Sequence, residues 1–254
     1  MSEILDGAGV PIAYRRQGRG PAVVLVHGMA ADALTWAPLA AALADRACVV
    51  TFDRRGYGAS GAPEPYERTT VQEQAEDLAA LLRELAPGAV VLGGADFGAL
   101  VCLEVALRHP LRLAGLALFE PYAFNLVAAA TEALSAQRAQ LEQAIRDRGP
   151  GAAIETWLGE RADEDRRQRA AARPRAFFAD YAGLATWPVT RAELRSLAAP
   201  VAIVDGAFTP PHVRAAGDAL AALVPAARRR RDGALAQALG ELLVEPRETS
   251  GSAG

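Results

Sequence analysis

The stretch Val90-Val91-Leu92-Gly93-Gly94-Ala95-Asp96-Phe97-Gly98-Ala99-Leu100-Val101 decides how the chain is read. An apolar run enters a glycine-flanked acidic residue and leaves as an apolar segment with helical spacing. A strand that reverses sharply into a helix holds its turn residue in a strained backbone conformation, so small neighbours are needed on both sides. Gly94 and Gly98 meet that need around Asp96. Alone, the stretch also fits an ordinary glycine-rich strand-to-helix turn. The flanking chain has to decide.

Upstream, residues 3–16 read as a hairpin turning at Asp6-Gly7 and Gly9. Val23-Val24-Leu25-Val26 and Cys48-Val49-Val50-Thr51-Phe52 are continuous apolar runs, the mark of strands buried on both faces. The first ends in His27-Gly28-Met29-Ala30, the second in the loop Asp53-Arg54-Arg55-Gly56-Tyr57-Gly58-Ala59-Ser60-Gly61. Helical spacing follows over Trp36 to Leu43 and again over Thr70 to Leu85, where Thr70 caps the start and Pro87-Gly88 stops the helix. Strand 89–93 and helix 97–108 carry the central turn; a further strand, Leu113 to Phe119, closes at Glu120-Pro121. Alternating strands and helices of this kind predict a parallel, doubly wound sheet. Ligands of such sheets sit beyond the carboxyl ends of the strands, where His27, Asp53, Asp96, Glu120 and Asp205 all fall.

Residues 122–190 break the rhythm: they are helical, rich in alanine, arginine and glutamate, with Gly149-Pro150-Gly151 and a charged stretch from Arg161 to Arg169. We read them as a helical cap over the sheet edge, inserted after the sixth strand, with 1–121 and 191–247 as the core. Tyr122, Phe124, Trp157, Phe177, Phe178, Tyr181 and Trp187 supply the cap's apolar face, two or three of them lining a pocket. Alternation resumes with Pro200 to Asp205 and a helix opening at Pro210-Pro211. Ala226 to Arg231 makes a poor strand, 234–244 a last helix, and 248–254 reads as a disordered tail.

Half the residues are apolar and under a quarter charged, which suits a globular protein of one large domain. A net charge of −3 gives no case for nucleic acid or a membrane surface, and the basic run Arg228 to Arg231 is too short to outweigh it. The first residues show no basic-then-apolar signal, and no apolar run reaches the roughly 18 residues that span a bilayer, so a cytoplasmic protein is expected. Cys48 and Cys102 are expected as buried, reduced thiols. No cofactor or metal is implied. The expected partner is a small apolar molecule; a homodimer is left open.

With these pieces in order, the chain resembles the α/β-hydrolase superfamily over nearly its whole length. The resemblance rests on His27-Gly28, on Asp53-Arg54-Arg55-Gly56-Tyr57-Gly58-Ala59-Ser60, on Gly94-x-Asp96-x-Gly98 and on Leu107-Arg108-His109-Pro110. Gly94-x-Asp96-x-Gly98 keeps the spacing of the G-x-S-x-G nucleophile elbow with aspartate in place of serine. The resemblance implies an oxyanion hole built from the Met29 and Phe97 backbone amides. Phe119-Glu120-Pro121 and Thr209-Pro210-Pro211 resemble a bacterial subgroup whose triad acid follows the sixth strand, which places Glu120 in that position.

The rest of the family's machinery is missing. The region that should carry the catalytic histidine reads Arg230-Arg231-Asp232-Gly233-Ala234-Leu235. Of three histidines, His27 belongs to the oxyanion loop, His109 ends a helix on the far side of the sheet, and His212 starts a helix on the active edge. His212 either approaches Asp96 or is a solvated helix-start residue. A serine nucleophile needs a base; a carboxylate does not. Aspartate at the elbow resembles epoxide hydrolases and haloalkane dehalogenases, and Asp96-Phe97-Gly98 resembles their Asp-Trp-Gly. Phe97 offers no N–H for halide, which disfavours dehalogenation. Asp96 and Glu120 across a vacated histidine site would make an acid/base pair, one of them raised in pKa by the other. Such a pair suits epoxide opening, cyclisation or isomerisation, with Tyr57, Tyr122 or Tyr181 polarising an oxygen and His27, Phe124, Trp157 and His212 completing the substrate surface. Against this stand a structural role for Glu120 and an inactive pseudo-hydrolase that only binds a ligand or partner. Asp53 is expected to brace its loop by an ion pair with Arg54 or Arg55. Serine esterase activity is excluded, since both required groups are absent.

Overall fold

The computed structural model describes residues 2–159, 162–231 and 233–244. Eight strands form one sheet: β1 (Glu3–Asp6), β2 (Pro11–Gln17), β3 (Ala22–Val26), β4 (Cys48–Phe52), β5 (Val90–Ala95), β6 (Leu113–Phe119), β7 (Val201–Val204) and β8 (Ala227–Arg230). Their order is β1-β2-β4-β3-β5-β6-β7-β8, parallel from β4 onward, with β2 antiparallel to both neighbours. The expected doubly wound sheet is present.

The continuous apolar runs are explained by burial on both faces. In β3, Val23 and Leu25 pack with helices α1 (Ala37–Leu43) and α10 (Leu235–Val244) on one side of the sheet. Val24 and Val26 pack on the other side with α2 (Val71–Leu85) and α3 (Phe97–Arg108). Each such side chain contributes about 1.5–3 kcal/mol through burial. The Thr70 cap is a full capping box closed by Glu73. β8 is weak for a visible reason: it is an edge strand whose arginines reach out to Asp205, Asp218 and Glu241. Cys102 is buried, whereas Cys48, at the start of β4, is only half-buried; both are free thiols.

Between β6 and β7 lie α4 (Ala128–Arg148), α5 (Pro150–Leu158), α6 (Glu164–Ala171), α7 (Pro174–Gly183) and α8 (Arg191–Ser196); α9 (Pro211–Leu223) follows β7. Gly149, at φ +88°, ends α4 and Pro150 opens α5, so one Gly-Pro pair makes the corner. The expected tail, 248–254, lies outside the described residues. Among the described residues no helix is long and apolar enough to cross a membrane.

One buried ion pair ties α7 to the loops beyond β3 and β4. Arg54 and Asp180 are 1% and 0% exposed and meet at 2.7 Å. Arg54 also donates to the backbone carbonyls of His27 (2.8 Å) and Gly28 (2.9 Å) and to Gln74 of α2 (2.5 Å). Asp180 accepts further from Tyr57 Oη (2.8 Å) and Gln74 Nε2 (2.7 Å). Asp53 does not join this network, contrary to expectation. Its oxygens accept from the Ala33 and Ala59 amides, and Arg55 pairs with Asp77. Asp53 braces its loop through backbone groups, because both arginines are committed elsewhere. Removing one member of a buried pair strands the other charge. Asp180→Ala should therefore lower unfolding stability by about 3–5 kcal/mol in urea titration; a loss under about 1 kcal/mol would show that Arg54 is not held by this pair.

Candidate functional site

Asp96 stands where β5 turns into α3, at φ 42°, ψ −108°. A side chain on Gly94 or Gly98 would collide with backbone: Gly98 lies against the carbonyls of Val26 and His27, and Gly94 against Gly98 and Ala99. Among the described residues the other non-glycine residues with positive φ are Ala30 (48°) and Glu120 (47°). Ala30 adjoins Met29 and Ala31, and Glu120 ends β6 beside the elbow. Strain of this kind persists only where surrounding structure over-determines it, and here it gathers around one cavity.

That cavity, about 710 Å³, is lined by Asp96, Glu120, Tyr122, Trp157, Arg166 and Trp36, with Gly28, Gly206 and Phe208 among the remaining walls. Phe208, 85% exposed, stands at its rim. The Asp96 carboxylate lies in the hole that the family resemblance assigns to a substrate oxygen. Oδ1 accepts from the Met29 amide (2.7 Å) and from the Phe97 amide. Oδ2 lies over Gly28 Cα, in space open only because Gly28 has no side chain, and accepts no hydrogen bond among the described residues. The carboxyl pKa is raised to about 7. Burial is the main cause; the Met29 and Phe97 amides and the Arg54 and Arg166 cations pull it back. The expected push from a second carboxylate is not among these causes.

Glu120 lines the same cavity, its Oε1 accepting from Thr209 Oγ1 at 2.5 Å. No hydrogen bond joins it to Asp96 among the described residues. Asp205, at the end of β7, is buried and gripped by Arg229 at 2.5 and 3.1 Å, so its carboxylate is spent on β8. Among the described residues no group of three or more His, Cys, Asp or Glu could hold a metal ion.

Several expected substrate contacts are placed elsewhere. Tyr122 and Trp157 line the cavity, edge to face at 6.0 Å. Phe124 does not; it stacks on Tyr122 at 4.8 Å, outside the cavity lining. His27 is fully buried beneath the oxyanion loop, Nδ1 at 2.8 Å from the Gly28 carbonyl and Nε2 accepting from the Arg54 amide. Burial holds its pKa well below the usual value, so it supports the loop as a neutral ring. The Tyr57 hydroxyl is committed to Asp180. Tyr181 lies in a separate groove between α4 and α7, donating to the Leu134 carbonyl at 3.3 Å. His212 packs its ring against Phe124 at 5.5 Å, away from the cavity lining, and His109 sits by Glu76. Sequence reasoning missed Arg166, Trp36 and Thr209. Arg166 was hidden in a charged run that reads as a solvated face, and Trp36 in an ordinary helical pattern.

The family model described as alpha/beta hydrolase fold matches residues 21–167. The chain belongs to this family. It is 32% identical to the 2-(acetamidomethylene)succinate hydrolase of Mesorhizobium japonicum over 43% of this chain and 39% of that protein. It is also 32% identical to the uncharacterized hydrolase YraK of Bacillus subtilis, over 48% and 45%. The matched part thus spans less than half the length of these curated relatives. A thermophilic esterase from Thermogutta terrifontis, solved with malate bound, superposes with a TM-score of 0.76 at 28% identity, covering 96% of this chain and 98% of that one.

Because Asp96 is neutral more readily when folded than when unfolded, the unfolded chain releases its proton first as pH rises. Stability contributed by the neutral form is present at about pH 4 and is lost as pH approaches 7. Asp96→Asn removes this titration. The stability of the variant relative to the parent should rise between about pH 4 and 7 and then level off, as read by chemical denaturation across pH; a flat difference would mean that Asp96 ionises normally.

Proposed function

We propose that this member of the alpha/beta hydrolase family is an enzyme using Asp96 as a carboxylate nucleophile, with Glu120 as its proton-exchanging partner, to open a strained oxygen ring such as an epoxide in a small, largely apolar molecule. The observation that carries this reading is the grip on Asp96. One oxygen is held by the Met29 and Phe97 amides, and the other, beside the cavity, accepts no hydrogen bond among the described residues. Attack by Oδ2 on a ring carbon forms an ester and breaks the ring C–O bond. The departing oxygen takes a proton from a water held at Glu120, whose carboxyl relays it. The new ester carbonyl oxygen stays in the Met29 and Phe97 amides, where developing negative charge is stabilised. The hydroxide equivalent left at Glu120 then adds to the ester carbon. Collapse passes the proton of the added hydroxyl to the departing alkoxide, which leaves as the second hydroxyl, and restores the Asp96 carboxylate. Among the described residues, Asp96 and Glu120 are the titratable groups on the cavity wall apart from Tyr122 and the Arg166 cation, and this scheme needs no histidine. The names of both curated relatives, which are hydrolases, support hydrolytic chemistry.

A second reading has its own observation. The two amides a substrate oxyanion would require are already filled by the protein's own side chain, which suits a pseudo-hydrolase that holds a ligand without turnover. Cyclisation and isomerisation through the same two carboxyls stand as variants of the first reading, and a cytoplasmic location goes with it.

Asp96→Asn should reduce ring opening to background, and Glu120→Gln should lower it by about 10²- to 10⁴-fold, with ligand binding kept in both. The ionised nucleophile makes the rate climb as pH rises through about 7. Mass spectrometry of Glu120→Gln exposed to substrate should find the ester on Asp96. An intact parent protein that binds epoxides yet turns over none of a broad panel would favour the binder.

A further inference from the structure

A second cleft, about 320 Å³, adjoins the Asp96 cavity and shares Ala31 and Arg166 with it as common wall. Its floor is the loop after β3 and the Asp53–Ala59 loop; its roof is α6 and the start of α7. Four arginines line it, Arg15, Arg166, Arg169 and Arg173, against two carboxylates, Asp32 and Asp53. The carboxylates are already occupied. Asp32 pairs with Arg169 at 2.8 Å, and Asp53 turns its two oxygens onto the Ala33 and Ala59 amides. That leaves Arg15, Arg166 and Arg173, none of which forms a salt bridge among the described residues, although the charges of Arg15 and Arg166 act on Asp53 and Asp96. Arg166 Nε is anchored on the Ala30 carbonyl (3.3 Å) and one Arg173 Nη on the Gly58 carbonyl (2.7 Å). These anchors hold two guanidinium groups over the cleft while their remaining N–H groups have no acceptor among the described residues.

Guanidinium groups held by backbone anchors, converging on a concave surface with excess positive charge, present forked donors that match a carboxylate or a phosphate. A cation cluster that served only solubility would be spread on convex surface and solvated. This one is walled by backbone and by Tyr57 and Leu34.

We infer that the cleft beneath α6 is a subsite for an anionic group, carboxylate or phosphate, at the far end of a substrate whose body lies in the Asp96 cavity. The substrate class is then an apolar or oxygenated chain with one negatively charged terminus, and Arg166, bordering both spaces, faces the junction between body and terminus. The inference rests on the substrate's body occupying the Asp96 cavity, as proposed above; anion binding does not depend on whether Asp96 performs chemistry.

The test is isothermal titration of the whole protein with hexanoate, hexyl phosphate and the neutral hexanamide. At least one anion should bind about tenfold or more tighter than the amide, as expected for one or two added charge-assisted hydrogen bonds. Which anion wins identifies the terminus. The preference should shrink as sodium chloride rises from about 50 to about 300 mM. It should vanish in Arg15→Gln/Arg173→Gln, two exposed positions outside the Asp96 cavity, and persist in Asp96→Asn. Loss of turnover in Asp96→Asn with the anion preference intact separates the two proposals. If hexanamide binds as well as both anions, if neither anion binds, or if the double variant keeps the preference, the subsite does not exist. Should the double variant fail to fold, the comparison of ligands on the parent protein decides alone.

Discussion

The structure depends on the Arg54–Asp180 pair more than on any other interaction. Both side chains are out of water. A buried charge pair is tolerable only when every remaining donor and acceptor is satisfied. Arg54 meets that demand by taking the carbonyls of His27 and Gly28, and Asp180 by taking Tyr57 and Gln74. The faces of Tyr57 and Phe97 lie against the guanidinium at 4.9 and 5.1 Å. Holding the His27 and Gly28 carbonyls inward helps fix the peptide that follows, and with it the Met29 amide. The same pair therefore anchors α7 to the sheet and helps aim the Met29 amide at Asp96.

Asp96 sits where two amides, burial and two cations act on its carboxyl. Two converging amides suit an oxygen that becomes negative during a reaction. A carboxylate brings that charge permanently, and binds at once. Burial opposes the charge while the amides, Arg54 and Arg166 favour it, and the balance leaves the group poised near neutrality. A carboxylate at this elbow changes what the two amides hold. They clamp one oxygen and leave the other without a hydrogen bond among the described residues. Gly28 is as necessary to this as the aspartate, since any side chain there would occupy the space of Oδ2.

Charge is also arranged asymmetrically around the sheet edge. On the β8 side, Asp205 and Asp218 absorb the arginines of the edge strand. On the α6 side, arginines outnumber the carboxylates near them. A nearly neutral chain can hold a locally cationic cleft in this way, and its net charge says little about the chemistry of what it binds.

The strands, the strand-to-helix elbow and the capped ends of α2 and α4 were readable in the residues themselves, because burial on two faces, the need for small neighbours at a sharp turn, and the Thr70–Glu73 and Gly149–Pro150 signals act over a few residues. The placement of Asp96 and Glu120 at one sheet edge followed from the alternation of strands and helices, and that of the Met29 and Phe97 amides from the family resemblance. What each polar group meets did not. Tyr57, Tyr181 and His27 read as substrate contacts by residue type, yet their polar atoms are taken by Asp180, the Leu134 carbonyl and the Gly28 and Arg54 backbone. Asp53 was assigned arginines that are committed elsewhere. A hydrogen-bond partner 50 or 120 residues away leaves no periodic trace, and only packing the cap against the sheet decides which donors face a cavity and which are consumed in holding it open.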